Sequence, residues 1–220
     1  MMLERSGKKE MVRVAVFYDG GYLNEVSNYY KFYHQRQSRI SIYGIHEFIR
    51  QRVAGKEGVD VARVHIVEAH YFRGRFSAEA ADQAGKLKAE RMFDDVLIRA
   101  GIVQHYLPVD ERSFRPQEKG IDVWLSLEAF DLAVHKKLDV VALLGCDGDY
   151  VPLVRKLNGI GTRALLLAWD FQYTMPDGNE RETRTSRALI NEATYPLMMH
   201  EEIDEAIAKG DESIDILFID

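Results

Sequence analysis

The chain has 220 residues, of which 46% are hydrophobic and 29% charged, so it has the composition of a soluble globular protein and is long enough for one α/β domain with a full core. The net charge of −6 argues against a protein that coats nucleic acid by bulk positive charge, although it allows an enzyme whose clustered carboxylates bind a cation. A single cysteine excludes an internal disulfide and a cysteine-rich zinc module. The sequence shows neither an apolar run long enough to span a membrane nor the apolar core of a signal peptide. We therefore expect a cytoplasmic protein without a membrane span.

Five strands are predicted from short runs that are rich in aliphatic, β-branched and aromatic residues. In chain order these runs are 12–18, 62–72, 101–109, 139–145 and 162–168. The first is almost continuously apolar, which is typical of a strand that is buried on both faces of a parallel sheet.

Helical patterns lie between these strands, at 22–52, 78–100, 123–135 and 150–157, and two more follow at 186–191 and 201–209. Within 22–52 the segment before Ile42 is ambiguous. The alternation predicts right-handed crossovers, and so an α/β fold with a mostly parallel sheet of about five strands in the order 3-2-1-4-5. The segment 171–184 is polar, contains a Pro-Asp-Gly turn signal and is predicted to be a surface loop or flap. We expect a single domain over 11–205, a flexible N-terminus at 1–10 and an acidic C-terminal tail at 206–220.

Aspartates follow the first and fourth predicted strands at the point where each strand ends. Asp19 comes directly after the first, and Asp147 and Asp149 flank a glycine after the fourth. Functional groups gather at the carboxyl ends of parallel strands, so these aspartates converge if strands one and four are neighbours. Asp122, at the start of the helix before strand four, is a third source of a carboxylate at this edge. Such carboxylates would repel one another unless a cation lies among them, and Mg²⁺ and Mn²⁺ prefer oxygen ligands.

A purely structural role is open for each of these aspartates, because an aspartate between a strand and a helix is often only the helix N-cap. For Asp147 the cap and the metal ligand are equally good interpretations, and for Asp122 or Asp149 taken singly the cap is favoured. The metal-site hypothesis therefore depends on the combination. Glu128 and Asp131 lie on other helix faces than Asp122. Glu128 could therefore hold a metal-binding side chain in position but could not bind the cation itself.

Four segments follow one another in a specific order: FYDGGYLN, KGIDVWLSLEAFDLA, DVVALLGCDGDYVPLVRKLNGIGTRALLLA and SRALINEA. Together they resemble the NYN domain, in the LabA-like branch of the PIN-like nuclease group. The resemblance runs from about residue 12 to residue 203. A lysine-glycine-x-aspartate motif combined with a glycine-x-aspartate-x-aspartate-aromatic motif makes it fairly specific.

This resemblance implies a PIN-like three-layer α/β/α sandwich and hydrolysis of RNA phosphodiesters by a metal-activated water. By motif match, Asp19, Asp122 and Asp147 would bind Mg²⁺ or Mn²⁺, with Asp149 adjacent to bind through water or to orient the nucleophile. Many relatives have an asparagine shortly after the first aspartate, whereas this chain has glycine and tyrosine there and Asn24 a little later.

A single strand of nucleic acid binds to cationic and stacking side chains. The candidate substrate-binding residues are Asn24, Arg73, Arg75, Lys119 and Arg155. Each cation taken alone is more often part of an ordinary solvated surface. The expected partner is nucleic acid, RNA before DNA, and a homodimer is possible.

Other functions were weighed against the nuclease. A haloacid-dehalogenase-type phosphatase needs a second aspartate two residues after the first, where this chain has Gly21. A receiver domain is shorter and clusters its acidic residues after strand one. The serious alternative is a non-catalytic regulatory or interaction protein that uses the same fold as a binding platform. It predicts intact carboxylates with little metal affinity or turnover.

Overall fold

The structure, a computed structural model, describes residues 11–110 and 119–219, so the predicted flexible segment 1–10 lies outside the described residues. Within these ranges the strands are β1 (Val12–Asp19), β2 (Val64–Arg75), β3 (Val103–Pro108), β4 (Val140–Leu144), β5 (Arg163–Ala168), β6 (Phe171–Thr174), β7 (Glu180–Thr183) and β8 (Tyr195–Met198). The α-helices are α1 (Gly20–Phe32), α2 (Ile42–Glu57), α3 (Ala78–Gln83), α4 (Leu87–Arg99), α5 (Ile121–His135), α6 (Val151–Gly159), α7 (Arg187–Glu192) and α8 (Met199–Lys209). Short 3-10 helices cover Val61–Arg63, Gly148–Tyr150 and Glu212–Leu217.

Six strands form one sheet in the order β3-β2-β1-β4-β5-β8, and every neighbouring pair is parallel. The predicted order 3-2-1-4-5 is therefore confirmed. The sixth strand, β8, was not predicted from the sequence, because it is only four residues long and contains Pro196. Proline lacks the N–H that a strand between two neighbours needs, but it is tolerated here because β8 lies at the sheet edge.

The core lies on both faces of this sheet, because alternate residues of a strand point to opposite sides. In β1, Val14 and Val16 face one side and Ala15 and Phe17 face the other, and all four are fully buried. The first side is covered by α1, α2, α4 and α8, and the second by α5, α6 and α7. This is the three-layer α/β/α arrangement that was predicted.

Several element boundaries differ from the prediction. The helix expected over 22–52 is two helices, since the backbone leaves the helix at residues 33–41 and Gln37 has a φ of 49°. The helix expected over 78–100 is interrupted at Gly85, where φ is 66°. The second strand continues to Arg75, so Arg73 and Arg75 lie within β2 and not in a loop after it. The predicted flap at 171–184 contains the antiparallel hairpin β6–β7, whose Phe171 stacks on Tyr29 of α1 at 4.5 Å between ring centroids.

The segment after residue 205, which contains the predicted acidic tail, packs against the rest of the fold. Leu217 is fully buried, and Phe218 forms an isolated β-bridge with Ile40. Gly44 of α2 lies so close to the carbonyl of Ile216 that no side chain could be added there. Among the described residues, none of the helices combines the length and the apolar character that crossing a membrane requires.

Candidate active site

The sequence-predicted aspartates are placed by three segments at the carboxyl edge of the sheet. Asp19 is the last residue of β1, and Asp147 and Asp149 follow the neighbouring strand β4. Asp122 lies in the first turn of α5, the helix that leads into β4. The parallel pairing of β1 with β4 therefore brings Asp19 and the loop of Asp147 and Asp149 to the same edge of the sheet.

The hydroxyl group of Tyr150 lies between two of these carboxylates. Its Oη is 2.7 Å from Asp122 Oδ1 and 3.1 Å from Asp19 Oδ2. Burial raises the pKa of the Tyr150 phenol, and the negative charges of Asp19 and Asp122 raise it further. The phenol therefore stays protonated and acts as a hydrogen-bond donor to this carboxylate pair.

Asp19 has a second role, as the N-cap of α1. Its Oδ1 accepts a hydrogen bond of 3.0 Å from the backbone N–H of Tyr22. The following residue, Gly20, begins the helix against β2, and a Cβ at this position would lie 2.7 Å from the carbonyl oxygen of Phe72. A glycine is therefore required where the chain turns from β1 into α1.

Asp122 is not a helix cap, which corrects the interpretation that was favoured for this residue alone. The N-cap of α5 is Gly120, which has a φ of 81°. Asp122 instead lies one residue inside the helix, where the helix dipole favours a negative charge. Both its position and its contact with Tyr150 direct its carboxylate toward Asp19.

Asp147 and Asp149 are both exposed on the loop that follows β4. Asp147 caps the 3-10 helix Gly148–Tyr150, since its Oδ1 accepts a hydrogen bond of 3.0 Å from the N–H of Asp149. The N-cap of α6 is Tyr150, so the cap interpretation of Asp149 is wrong. Asp149 is exposed to solvent on the same loop.

Further acidic side chains surround Cys146, and the sequence did not reveal them. Burial raises the pKa of the Cys146 thiol to about 12, with added contributions from the charges of Asp19, Asp147, Glu25 and Asp170. At this pKa the thiol is neutral at physiological pH, which does not favour it as a nucleophile. Glu25 is exposed in α1, six residues after Asp19, and helical periodicity does not place it on the same helix face.

Asp170 connects the hairpin to this edge of the sheet. Its Oδ1 accepts hydrogen bonds of 2.8 Å from both the N–H and the hydroxyl group of Thr185. The next residue, Ser186, donates its N–H to the carbonyl of Cys146, and its Oγ is 3.1 Å from the position that a Cβ would take at Gly148. The loop of Asp147 therefore packs directly against the chain that leaves the hairpin.

The two converging carboxylates are suited to a small divalent cation. Mg²⁺ usually binds one or two carboxylates and keeps several waters, and Asp19 and Asp122 supply such a pair. In the part of the chain that the structure describes, no three or more His, Cys, Asp or Glu side chains are grouped so that they could hold one metal ion. Asp147 and Asp149 as additional ligands therefore stay a prediction.

Four of the predicted substrate-binding residues lie on elements that meet at this edge of the sheet. Asn24 is half-buried in α1, one turn beyond its start, and Lys119 is exposed just before α5. Arg73 and Arg75 continue β2 past the residue that pairs with Asp19. These four residues thus border the same edge of the sheet.

Two of the predicted arginines have partners within the fold. Arg75 forms an ion pair of 2.5 Å with Asp94, and its guanidinium lies 4.3 Å from the ring centroid of Tyr106. Arg155 forms an ion pair of 2.9 Å with Glu192 on the exposed surface of α6. The sequence could not reveal these partners, because both acidic residues are distant along the chain.

Three comparisons with known proteins bear on this arrangement. The model of a family described as the NYN domain matches residues 13–199. A crystal structure of a protein of unknown function from Vibrio parahaemolyticus is similar to this chain, with a TM-score of 0.55 and 19% sequence identity over 87% of this chain and 94% of that one. At this identity the likeness concerns the fold alone. No curated protein matches the chain.

Proposed function

The chain belongs to the NYN domain family, and from this premise we propose that it is a divalent-metal-dependent nuclease that hydrolyses RNA phosphodiesters. The observation that carries the proposal is the meeting of Asp19 and Asp122 at the Tyr150 hydroxyl. These two carboxylates come from a strand end and a helix start that are far apart in the sequence. Membership of the family suggests the class of reaction, and the pair suggests where on this chain the reaction takes place.

In this proposal Asp19 and Asp122 hold Mg²⁺ or Mn²⁺, and the exposed Asp147 and Asp149 complete the site directly or through water. A bound divalent cation supplies Lewis-acid stabilisation of a phosphoryl oxygen and lowers the pKa of a coordinated water. The partly exposed position of the pair leaves a phosphodiester free to approach from solvent. In this proposal the exposed carboxylate of Asp149 orients an attacking water.

A cleft beside the pair supports a path for the substrate strand. The cleft has a volume of about 510 Å³, and its lining includes Arg75, Phe76 and Tyr106. It also includes Leu107, whose Cδ1 is 3.7 Å from the position that a Cβ would take at Gly120, directly before α5. The cleft thus reaches the start of the helix of Asp122, and its aromatic side chain Phe76 could stack on a base of the substrate strand.

A cleavage assay tests the proposal. End-labelled single-stranded RNA, hairpin RNA and matching DNA are incubated with the protein and Mn²⁺, Mg²⁺ or EDTA. The decisive variant is Asp122→Asn, which keeps the size of the side chain but removes one charge of the pair. We expect RNA to be cut only when a divalent ion is present. The cleavage rate of the variant should be at least about a hundredfold lower, which is the loss expected when one group that stabilises the charge of the transition state is removed.

A matched control is Asp131→Asn on the same helix. Asp131 is exposed and forms a 3.1 Å contact with His135, away from the carboxylate pair, so this change should leave the cleavage rate unchanged. Equal cutting by the wild type and Asp122→Asn would mean that the activity comes from a contaminant or another site. An intact wild type that neither cuts RNA nor binds Mn²⁺ would favour the regulatory alternative. The preference for RNA, and the association of two copies, stay predictions from the sequence.

A further inference from the structure

We propose that Tyr150 is a positioning residue whose hydroxyl occupies the space between the Asp19 and Asp122 carboxylates and competes with a divalent cation for them. The inference rests on the metal site of the proposed function. It goes further by assigning to one phenol the control of how strongly the site binds its ion.

The geometry around the hydroxyl is unusual because one proton serves two carboxylates. The shorter contact, 2.7 Å to Asp122 Oδ1, is that of a strong hydrogen bond to a charged acceptor, and the contact to Asp19 Oδ2 is 3.1 Å. A phenol has a single hydrogen and cannot donate fully to both oxygens. The phenol therefore reduces the repulsion between the carboxylates only in part, and their combined negative charge remains attractive to a cation.

The ring of Tyr150 is fixed in place, so its oxygen cannot easily move away. The side chain is fully buried in the apolar layer between the sheet and α5 and α6. One ring edge lies against Gly145, where an added Cβ would be 2.8 Å from Cε2 of the tyrosine. The backbone of Tyr150 forms the N-cap of α6. The carboxylates, which are partly exposed, are therefore the groups that adjust when an ion binds.

This arrangement predicts the direction in which the affinity for the cation changes when the hydroxyl is removed. A cation that binds Asp19 and Asp122 uses carboxylate lone pairs that now face the phenol, so part of the hydrogen bonding must be given up. Without the hydroxyl, the two carboxylates face each other with no shared donor, and the free energy of the ion-free site rises. Tyr150→Phe should therefore bind the ion more tightly, whereas a tyrosine that only supports the site would lead to weaker binding when it is altered.

The test is calorimetric titration of Mn²⁺ into the full chain, with no nucleic acid present. For Tyr150→Phe we expect a Kd about tenfold lower than that of the wild type, the size expected for one hydrogen bond to a charged group. The melting temperature of the ion-free variant should be lower than that of the ion-free wild type. Added Mn²⁺ should raise the melting temperature more in the variant than in the wild type. The matched control is Tyr195→Phe, which removes a 3.1 Å phenol–carboxylate hydrogen bond to Glu57 at the opposite end of the sheet. It should leave the Mn²⁺ Kd unchanged.

A Kd for Tyr150→Phe that is unchanged or higher would overturn the inference. If that variant does not fold, proton NMR of the wild-type protein provides the test. The carboxylate-bonded hydroxyl proton should give a downfield resonance that moves or disappears on addition of Mg²⁺, and a resonance that stays in place would overturn the inference. Binding without RNA cleavage would contradict the proposed function alone, and a wild type that binds no Mn²⁺ would contradict both proposals.

Discussion

The carboxylate of Asp19 accepts a hydrogen bond from the backbone N–H of Tyr22 with one oxygen and contacts the hydroxyl of Tyr150 with the other. One side chain thus closes a helix terminus and forms half of the candidate site. Its structural and chemical roles can be separated, because asparagine caps helices as well as aspartate does but carries no charge.

The first prediction uses this separation. Asp19→Asn should unfold in urea at nearly the same concentration as the wild type, whereas Asp19→Ala should lose about 1 kcal/mol of stability through the missing cap. Both variants should lose Mn²⁺ binding and RNA cleavage, since both lack the charge. If Asp19→Asn cut RNA at the wild-type rate, Asp19 would be a cap only.

The second prediction concerns Gly145, at the end of β4. An alanine Cβ there would lie 2.8 Å from the ring of Tyr150, which is buried and cannot turn aside. We expect Gly145→Ala to cost about 1–3 kcal/mol by overpacking. Because it displaces the ring and its competing hydroxyl, it should tighten Mn²⁺ binding, as Tyr150→Phe does. The control is Gly159→Ala in α6, where an added Cβ meets nothing within 4 Å. A stable Gly145→Ala protein with normal Mn²⁺ affinity would contradict the tight packing described here.

The third prediction distinguishes a structural arginine from a surface one. Arg75 is largely buried and pairs with Asp94, which also accepts a 2.6 Å hydrogen bond from Tyr106. Arg75→Ala should cost about 3 kcal/mol, because it leaves the buried carboxylate of Asp94 with only a 3.6 Å contact to the exposed Arg91. Arg155→Ala should cost less than about 1 kcal/mol, since its ion pair with Glu192 is exposed. Urea unfolding of the two variants checks this, and equal losses would contradict it.

The fourth prediction tests the cleft with Phe76, which lines it without belonging to the ion pair of Arg75. Base stacking on an aromatic ring contributes about 1–3 kcal/mol per base, so Phe76→Ala should raise KM for RNA by about tenfold. Because the ring belongs to the cleft and not to the carboxylate pair, kcat should change little. Phe32→Ala is the control, since Phe32 is a strongly exposed aromatic residue at the end of α1. Steady-state kinetics on one labelled RNA would decide, and an unchanged KM would exclude the cleft from the substrate path.

The fifth prediction concerns stability below neutral pH. His70 Nδ1 and His105 Nε2 are 2.9 Å apart on β2 and β3, with Glu68 3.3 Å from the other nitrogen of His70. Burial lowers the pKa of both imidazoles, that of His105 to about 4 from an ordinary value of 6.5, and the neighbouring His70 adds to the shift of His105. Between about 6.5 and about 4 the unfolded chain therefore binds more protons, and stability falls as the pH falls.

Melting temperatures across this pH range provide the measurement. His105→Phe keeps a planar ring for the 4.2 Å stack on Phe72 but cannot bind a proton, so its melting temperature should fall less steeply with acidification. His135→Gln, at the exposed end of α5, should follow the wild-type curve. Parallel curves for all three proteins would show that the histidine pair does not control acid stability.

The sheet was predictable from the sequence because its central strands are continuous apolar runs, and parallel order follows from the alternation with helices. The convergence of Asp19 with the helix start at Asp122 followed from that order. Tyr150 could not be assigned a role, because the sequence pattern predicts only a core residue for an aromatic side chain at the start of a helix. Its contacts with Asp19 and Asp122 become known only from the structure. The partners of Arg75 and the position of Glu25 depend in the same way on tertiary contacts that no local pattern encodes.

The last described residues of the chain carry a practical consequence for producing the protein. Leu217 is buried beneath α2, Phe218 bridges Ile40, and the N–H of Ile219 donates a 2.9 Å hydrogen bond to the carbonyl of Arg39. A shortened chain that ends near residue 205 would expose the apolar surface of α2 and aggregate during expression. Affinity tags and fluorescent labels are therefore poorly placed close after Phe218.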